Sequence, residues 1–283
     1  MIEVLGFSDP FSSWSHLLAA VAAFIGAIFL CIRGRGNGGR IFSLIVYSFS
    51  LIFLFSMSGV YHLLTPGTTG RIVLQRLDYA GIWVLIAGTF TPVHIILFRG
   101  AWRWGILMLV WAIAITGLVL QIIFFESFPY WLTLILFLGL GWMGILTALQ
   151  FRKTFTKHSL RLLATGGIFY SIGAIVDGMN WPILFQRVIG PHEIFHVFVI
   201  LGALWHWRFI YEWADHPVAN KLVLNVTIHS DGRYFADAAN DYIRLEAKSL
   251  DDLKTLIQEH VHKKFRGMIK PEIQLRYFHE EKI

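Results

Sequence analysis

Charge is what this chain has least of. Asp, Glu, Lys and Arg make up only 15% of its 283 residues, against roughly 25% in soluble domains. Hydrophobic residues make up 56% and mean hydropathy is +0.60, which excludes an ordinary soluble domain. Cysteine is reduced to Cys31, inside an apolar run; no intramolecular disulfide can form, and thiolate metal ligation is not expected. The first ten residues carry Glu3 and Asp9 but nothing basic. Without a positive n-region the first apolar stretch reads as a retained span rather than a cleaved signal peptide. A basic patch interleaved with aromatics is also missing, so nucleic acid is not a partner. The net charge of +6 falls within residues 1–213, whereas residues 214–283 balance at zero, 11 basic against 11 acidic.

What is present is a series of apolar runs, at about 14–32, 41–62, 77–98, 102–125, 130–151, 160–179 and 192–213. Each approaches the ~20 residues that a helix needs to cross a bilayer, and only helices or closed barrels satisfy their backbone there. The expected fold is therefore an all-α membrane bundle of seven transmembrane helices over 1–213. The first connections are polar or marked by Gly and Pro, as at Arg33–Arg40, Thr65-Pro66-Gly67 and Arg99-Gly100. Trp102, Trp104, Tyr130, Trp131, Trp205, Trp207, Tyr211 and Trp213 lie near the run ends, where an interfacial aromatic belt accounts for them. The odd-numbered loops hold Arg33, Arg35, Arg40, Arg99, Arg103, Arg152, Lys153, Lys157 and Arg161; the even-numbered ones hold Arg71, Arg76 and Arg187. This bias predicts odd loops in the cytoplasm of an inner (plasma) membrane, the N-terminus outside and the C-terminus inside.

After Trp213 the pattern changes to that of a small soluble α+β appendage over 214–283. Residues 221–229 alternate, with Leu222, Leu224, Val226 and Ile228 on one face; Ser230-Asp231-Gly232 offers a hairpin turn, and 242–247 alternate again. Ser249 with Asp252 resembles a capping box for a helix carrying Leu253, Leu256, Ile257 and Val261, and 273–277 suit a last strand. His260 and His262, two apart, do not share a helix face and read as surface residues.

Ionisable groups are costly within apolar runs and mark function by default. Alternating helix direction brings Ser12 and His16, Ser58 and His62, Asp78, Asp177, and His192, Glu193 and His196 to one leaflet. His94 lies about 24 Å beyond Asp78 and His206 about 21 Å beyond His192, at 1.5 Å per residue, so neither joins them. Ser58 with His62, and His192 with His196, are i,i+4 pairs on one helix face. Two imidazoles one turn apart plus a third from another helix supply three nitrogens and leave a fourth position open, the pattern of catalytic Zn2+. Asp78 then suits the orientation of a histidine or of bound water, and Ser58 a hydrogen bond to a ligand group or a cap on local backbone. Taken singly, each histidine also fits an interhelical hydrogen-bonding role. Asp177 fits either the site or a helix-end turn, and His16 a supporting position.

Three motifs carry a resemblance: Ser58-Gly59-Val60-Tyr61-His62; Leu77-Asp78-Tyr79-Ala80-Gly81-Ile82 running into Ile86-Ala87-Gly88-Thr89-Phe90-Thr91-Pro92; and His192-Glu193-Ile194-Phe195-His196. In this order they resemble the haemolysin III family, the bacterial branch of the progestin and adipoQ (adiponectin) receptors, grouped more widely with alkaline ceramidases. The resemblance implies seven helices, zinc on His62, His192 and His196, and Asp78 and Ser58 beside it. It also implies hydrolysis of a membrane lipid amide such as ceramide; the non-catalytic alternatives are a metal-stabilised receptor or sensor and a pore-forming, cytolytic protein. Loop charge puts the metal at the outer leaflet, whereas the adiponectin receptors imply the cytosolic side. His192-Glu193-x-x-His196 also matches HExxH, in which the glutamate is the general base of a metalloprotease; that scheme leaves His62 and Asp78 without a role.

Overall fold

A computed structural model describes residues 8–154, 157–186, 188–216, 221–229, 231–238, 243–264 and 271–278. Glu3, Arg187, Ser230 and Tyr242 lie outside the described residues, as do the side chains of Arg152, Lys153 and Lys157. Helices α1 (Pro10–Gly34), α2 (Gly38–Leu63), α3 (Thr69–Leu97) and α4 (Gly100–Ile123) are followed by α5 (Tyr130–Trp142), α6 (Gly144–Thr154), α7 (Lys157–Gly178) and α8 (Pro191–Trp213). Seven stretches of these helices are long and apolar enough to cross a membrane. Their ends follow local chemistry. Pro10 sits in the first turn of α1, the Asn37 side chain accepts from the Arg40 N–H, and Thr68 accepts from the Arg71 N–H, each satisfying a donor that a helix start leaves open.

Two readings are corrected within the bundle: α3 begins at Thr69, so Arg71 and Arg76 lie in its first turns rather than in a loop, and the fifth span is broken. The sequence suggests an unbroken helix over 130–151, but the helix is interrupted at Met143, whose N–H is shared between Gly139 and Leu140 carbonyls. Gly139, Gly141 and Gly144 surround the break, and glycine lowers helix stability by ~1 kcal/mol per residue relative to alanine. Both pieces still form one span, Tyr130–Phe151.

Sequential helices pack as neighbours, and α1 meets α8 to close the bundle. The α3 span is the most buried of the seven. Small residues set the close approaches, as expected where lipid offers no hydrophobic drive between helices. A Cβ on Gly59 would stand 2.7 Å from Leu17 Cγ and 3.1 Å from its backbone nitrogen, so α1 reaches α2 only because that position is bare. Ser13 then donates to the Gly59 carbonyl at 2.6 Å.

The appendage forms one four-stranded sheet, in the order β3-β2-β1-β4, from β1 (Lys221–Ile228), β2 (Tyr234–Ala238), β3 (Ile243–Ala247) and β4 (Glu272–Phe278). β1 pairs antiparallel with β2 and parallel with β4, the parallel pairing allowed by the crossover through α9 (Leu250–Lys264). Leu222, Leu224 and Val226 are buried with Leu253, Ile257 and Val261 in a core of their own. Ser249 caps α9 as expected, accepting from the Asp252 N–H at 3.1 Å. Strand β2 has too short an alternation to be read from sequence.

At the bundle face opposite the histidines, the fully buried Arg40 joins three chain segments. It donates to the carbonyls of Gly34 at 2.7 Å, Arg35 at 2.6 Å and His216 at 2.9 Å. These are carbonyls that helix ends cannot satisfy internally, bonded here by a charged donor. Arg40→Met should lower stability by about 2–3 kcal/mol, since such bonds contribute ~1.5–3 kcal/mol each and the freed carbonyls regain some water. A fall in detergent-solubilised melting temperature, larger than that of Arg40→Lys, is the measurement.

Candidate metal centre

Three imidazoles converge where α2 ends and α8 begins. His62 is in the last turn of α2, and His192 and His196 occupy the first two turns of α8. One ring nitrogen from each lies within 4.8 Å of the others, and the ring centroids are 4.6–5.1 Å apart. His62 and His196 are buried, and His192 is half-buried. The i,i+4 spacing of His192 and His196 places both on the face of α8 that meets α2.

The far side of two rings is held by carboxylates. His62 Nδ1 lies 3.1 Å from Asp9 Oδ2, and His192 Nδ1 lies 3.2 Å from Asp177 Oδ1. Tyr130 donates its hydroxyl to the other Asp177 oxygen. Asp9 also receives Arg71 at 2.6 Å, and Arg71 in turn bonds the Leu64 carbonyl and covers the Tyr61 ring. Burial works to raise the Asp9 pKa, but the hydrogen bonds from His62 and Arg71 and their charges outweigh it, and the carboxyl stays below its ordinary value.

This arrangement tests whether the residues suit a cation. With each Nδ1–H donating to a carboxylate, both Nε2 atoms are left as lone pairs, and they stand 3.3 Å apart, facing each other. Two such acceptors repel unless they share a positive centre. Carboxylate–histidine pairing of this kind accompanies metal-ligating imidazoles, because it fixes the tautomer and raises basicity. His196 Nδ1, buried beside them, has no hydrogen-bond partner among the described residues. The donor set fits a zinc-type cation.

Ser58 and Asp78 flank the cluster. Ser58 is buried one turn before His62, and Asp78 lies on α3. Both line a cavity of about 320 Å³ together with His192 and His196. The cavity follows α3 from Asp78 to Val93, about 22 Å at 1.5 Å per residue. Its walls are mainly apolar, Phe137, Leu138 and Val199 among them, and exposed Trp142 and Ile168 border it on the α5 and α7 side. His16 stacks flat on His196 at 3.9 Å, a supporting position.

His94 and His206 stay outside the cluster, as their depth requires. His94 bonds the Trp102 carbonyl at 2.7 Å and Thr147 at 2.9 Å; His206 reaches the Leu163 carbonyl at 3.1 Å. Asp177 resolves toward the site through His192. Glu193 resolves away from it: one oxygen accepts the Gly190 N–H at 2.8 Å and the other the Ser12 hydroxyl at 3.2 Å. Sequence reasoning did not find Asp9, Arg71 or Tyr130 as site residues. The one signal available for Asp9 was its place immediately before α1 on the histidine-bearing leaflet.

The fold and site define a seven-helix integral membrane protein with a three-histidine centre near one bilayer face. The family model described as haemolysin-III related matches residues 7–207. Hemolysin-3 of Bacillus cereus is 30% identical over 191 residues, covering 67% of this chain and 84% of that protein. The Hemolysin-3 homolog of Bacillus subtilis (strain 168) is 28% identical, covering 67% and 86%. The adiponectin receptor protein of Drosophila melanogaster is 26% identical over 226 residues, covering 72% of this chain and 50% of its own. The chain belongs to the haemolysin III family. The matched region ends before the β-sheet appendage.

Glu193→Ala should destabilise the protein by about 1–2 kcal/mol, the range of a lost helix cap, while Glu193→Gln, which keeps an acceptor oxygen, should cost less. Thermal unfolding of the two variants side by side measures the difference.

Proposed function

We propose that this protein is a metal-dependent hydrolase of a membrane lipid amide of the ceramide class. The observation that carries the reading is the pair of Nε2 atoms of His62 and His192, 3.3 Å apart with both Nδ1 atoms on carboxylates. His62, His192 and His196 hold the cation, with zinc the preferred identity for three imidazoles and an open position. When bound, the ion supplies Lewis acidity and lowers the pKa of water toward ~7.

The protein's own residues do the rest. Asp9, backed by Arg71, and Asp177, backed by Tyr130, keep two ligand rings oriented. Asp78 stands ready to accept a proton from the attacking water and to return it to the amine nitrogen as the C–N bond breaks, while the Ser58 hydroxyl donates to the carbonyl oxygen. The apolar cavity along α3 accepts an acyl chain, and an amide at its histidine end lies beside Asp78. Loop charge assigns this end to the outer leaflet of the plasma membrane, with the N-terminus outside and the 214–283 unit in the cytoplasm.

A non-catalytic reading, as receptor, sensor or lytic protein, keeps the cation only as a staple between α2 and α8. The HExxH protease reading is weaker, because both carboxylate oxygens of Glu193 are engaged with Gly190 and Ser12.

Purified protein should carry about one zinc-type cation, the stoichiometry of a single mononuclear site, and His62→Ala should lose it. Asp78→Ala should keep metal and melting temperature yet lose at least about 100-fold in ceramide turnover, the contribution of a positioned general base. Equal metal content in wild type, His62→Ala and His192→Ala removes the site. Metal binding with no turnover in any form favours the staple.

Weakening the carboxylate support gives a separate check. Asp9→Asn should lower metal affinity by about 10–100-fold, the usual effect of losing a partner of a ligating histidine, read by competition with a chromophoric chelator.

A further inference from the structure

The helices do not end at one height on the histidine-bearing face. Asp78 of α3 and His192 of α8 border the same cavity end, yet α3 begins at Thr69 and α8 at Pro191. From Asp78, α3 continues for nine residues, about 13 Å at 1.5 Å per residue. Helix α7 ends one residue after Asp177, which bonds His192. The α7–α8 hairpin therefore stops about two turns short of α3.

Both stops are built into the chain. Asn180 adopts a left-handed conformation, φ +50°, and the Trp181 N–H reaches back to the Val176 carbonyl at 3.4 Å, the six-to-one closure of a Schellman end. Pro191 and the Glu193–Gly190 bond then start α8. Between them the backbone closes on itself. Leu184 and Phe185 N–H groups donate to the Ile189 carbonyl at 3.0 and 3.1 Å, and Ile189 returns a bond to Phe185 at 2.9 Å.

The side chains contradict an aqueous loop. Met179, Trp181, Ile183, Leu184, Phe185 and Val188 are 44–68% exposed, in a segment with one charge in its sequence, Arg187. Exposed apolar side chains in this number, with exposed Asn180 and Gln186 among them, mark an interaction site. In the first turns of α3, Ile72 and Val73 are exposed as well. Self-satisfied backbone groups are what an apolar surrounding demands, and tryptophan is enriched at bilayer interfaces.

We propose that the described residues of this segment, 179–186 with 188 and 189, are embedded in the acyl layer of the histidine-side leaflet, their partner being membrane lipid rather than water or protein. The segment leaves from Asp177 and returns to His192, both of which line the cavity, so it adjoins the cavity through its two ends. This placement does not depend on catalysis.

The test uses the full chain, with Cys31→Ser removing the lone native thiol. Leu184→Cys and, separately, Phe185→Cys are spin-labelled and reconstituted into phosphatidylcholine vesicles. Collision rates with oxygen and with a water-soluble nickel chelate are then compared. Val21→Cys, on the exposed face of α1, is the lipid reference, and Lys254→Cys, on α9, the aqueous one. An oxygen-to-nickel ratio above unity at both loop sites, close to that of Val21→Cys, supports the embedding. A ratio below unity like that of Lys254→Cys overturns it. Low collision with both reagents, together with spin–spin broadening on dilution-sensitive samples, assigns the surface to a second copy of the chain and also overturns it.

Discussion

The close approach of two imidazole Nε2 atoms is the constraint on which the site depends. His62 and His192 are turned so that their Nδ1 atoms reach Asp9 and Asp177, and this leaves Nε2 facing Nε2 at 3.3 Å. One proton or one cation between them removes the repulsion of two lone pairs, and the nearby His196 makes the group compatible with a metal site. The surrounding architecture brings the last turn of α2 and the first turns of α8 to the same point and holds them there.

That convergence comes from packing rather than from the histidines. Bare positions such as Gly59 let α1 lie directly on α2, which puts Asp9 at the end of α2, where its N–H bonds the His62 carbonyl at 3.0 Å. On the opposite face Arg40 binds the exits of α1 and α8. The two ends of the α1–α2–α8 group are thus pinned separately, one by a cation-ready cluster and one by a buried guanidinium. Beside them, α3 and the split fifth span line an apolar cavity that begins at the cluster.

Much of this was legible in residues. The seven runs correspond to seven spans because hydrocarbon leaves a segment no alternative to the helix. The helical repeat put Ser58 beside His62 and His192 beside His196, and chain reversal put both pairs on one leaflet with Asp78. The rejection of His94 and His206 followed from rise per residue, and both are hydrogen-bonded elsewhere. Asp9 was not legible because a carboxylate before the first helix has no periodicity to mark it, and its partner is 53 residues away. Arg71 passed as a loop charge for the same reason. Glu193 was ambiguous because HExxH and a helix-start glutamate look identical in one dimension; only the Gly190 and Ser12 contacts separate them.

The sequence by itself determined that this is a seven-span membrane protein with a small α+β appendage, and which leaflet-end holds three histidines and an acid. Hydrophobic length and local repeat suffice for that, being properties of single segments. The tertiary structure alone decided which nitrogens face one another, which carboxylates stand behind them, that the fifth span breaks at Met143, and that α7 and α8 stop short of α3. Those depend on the relative heights and rotations of helices far apart in the chain, which side-chain packing sets.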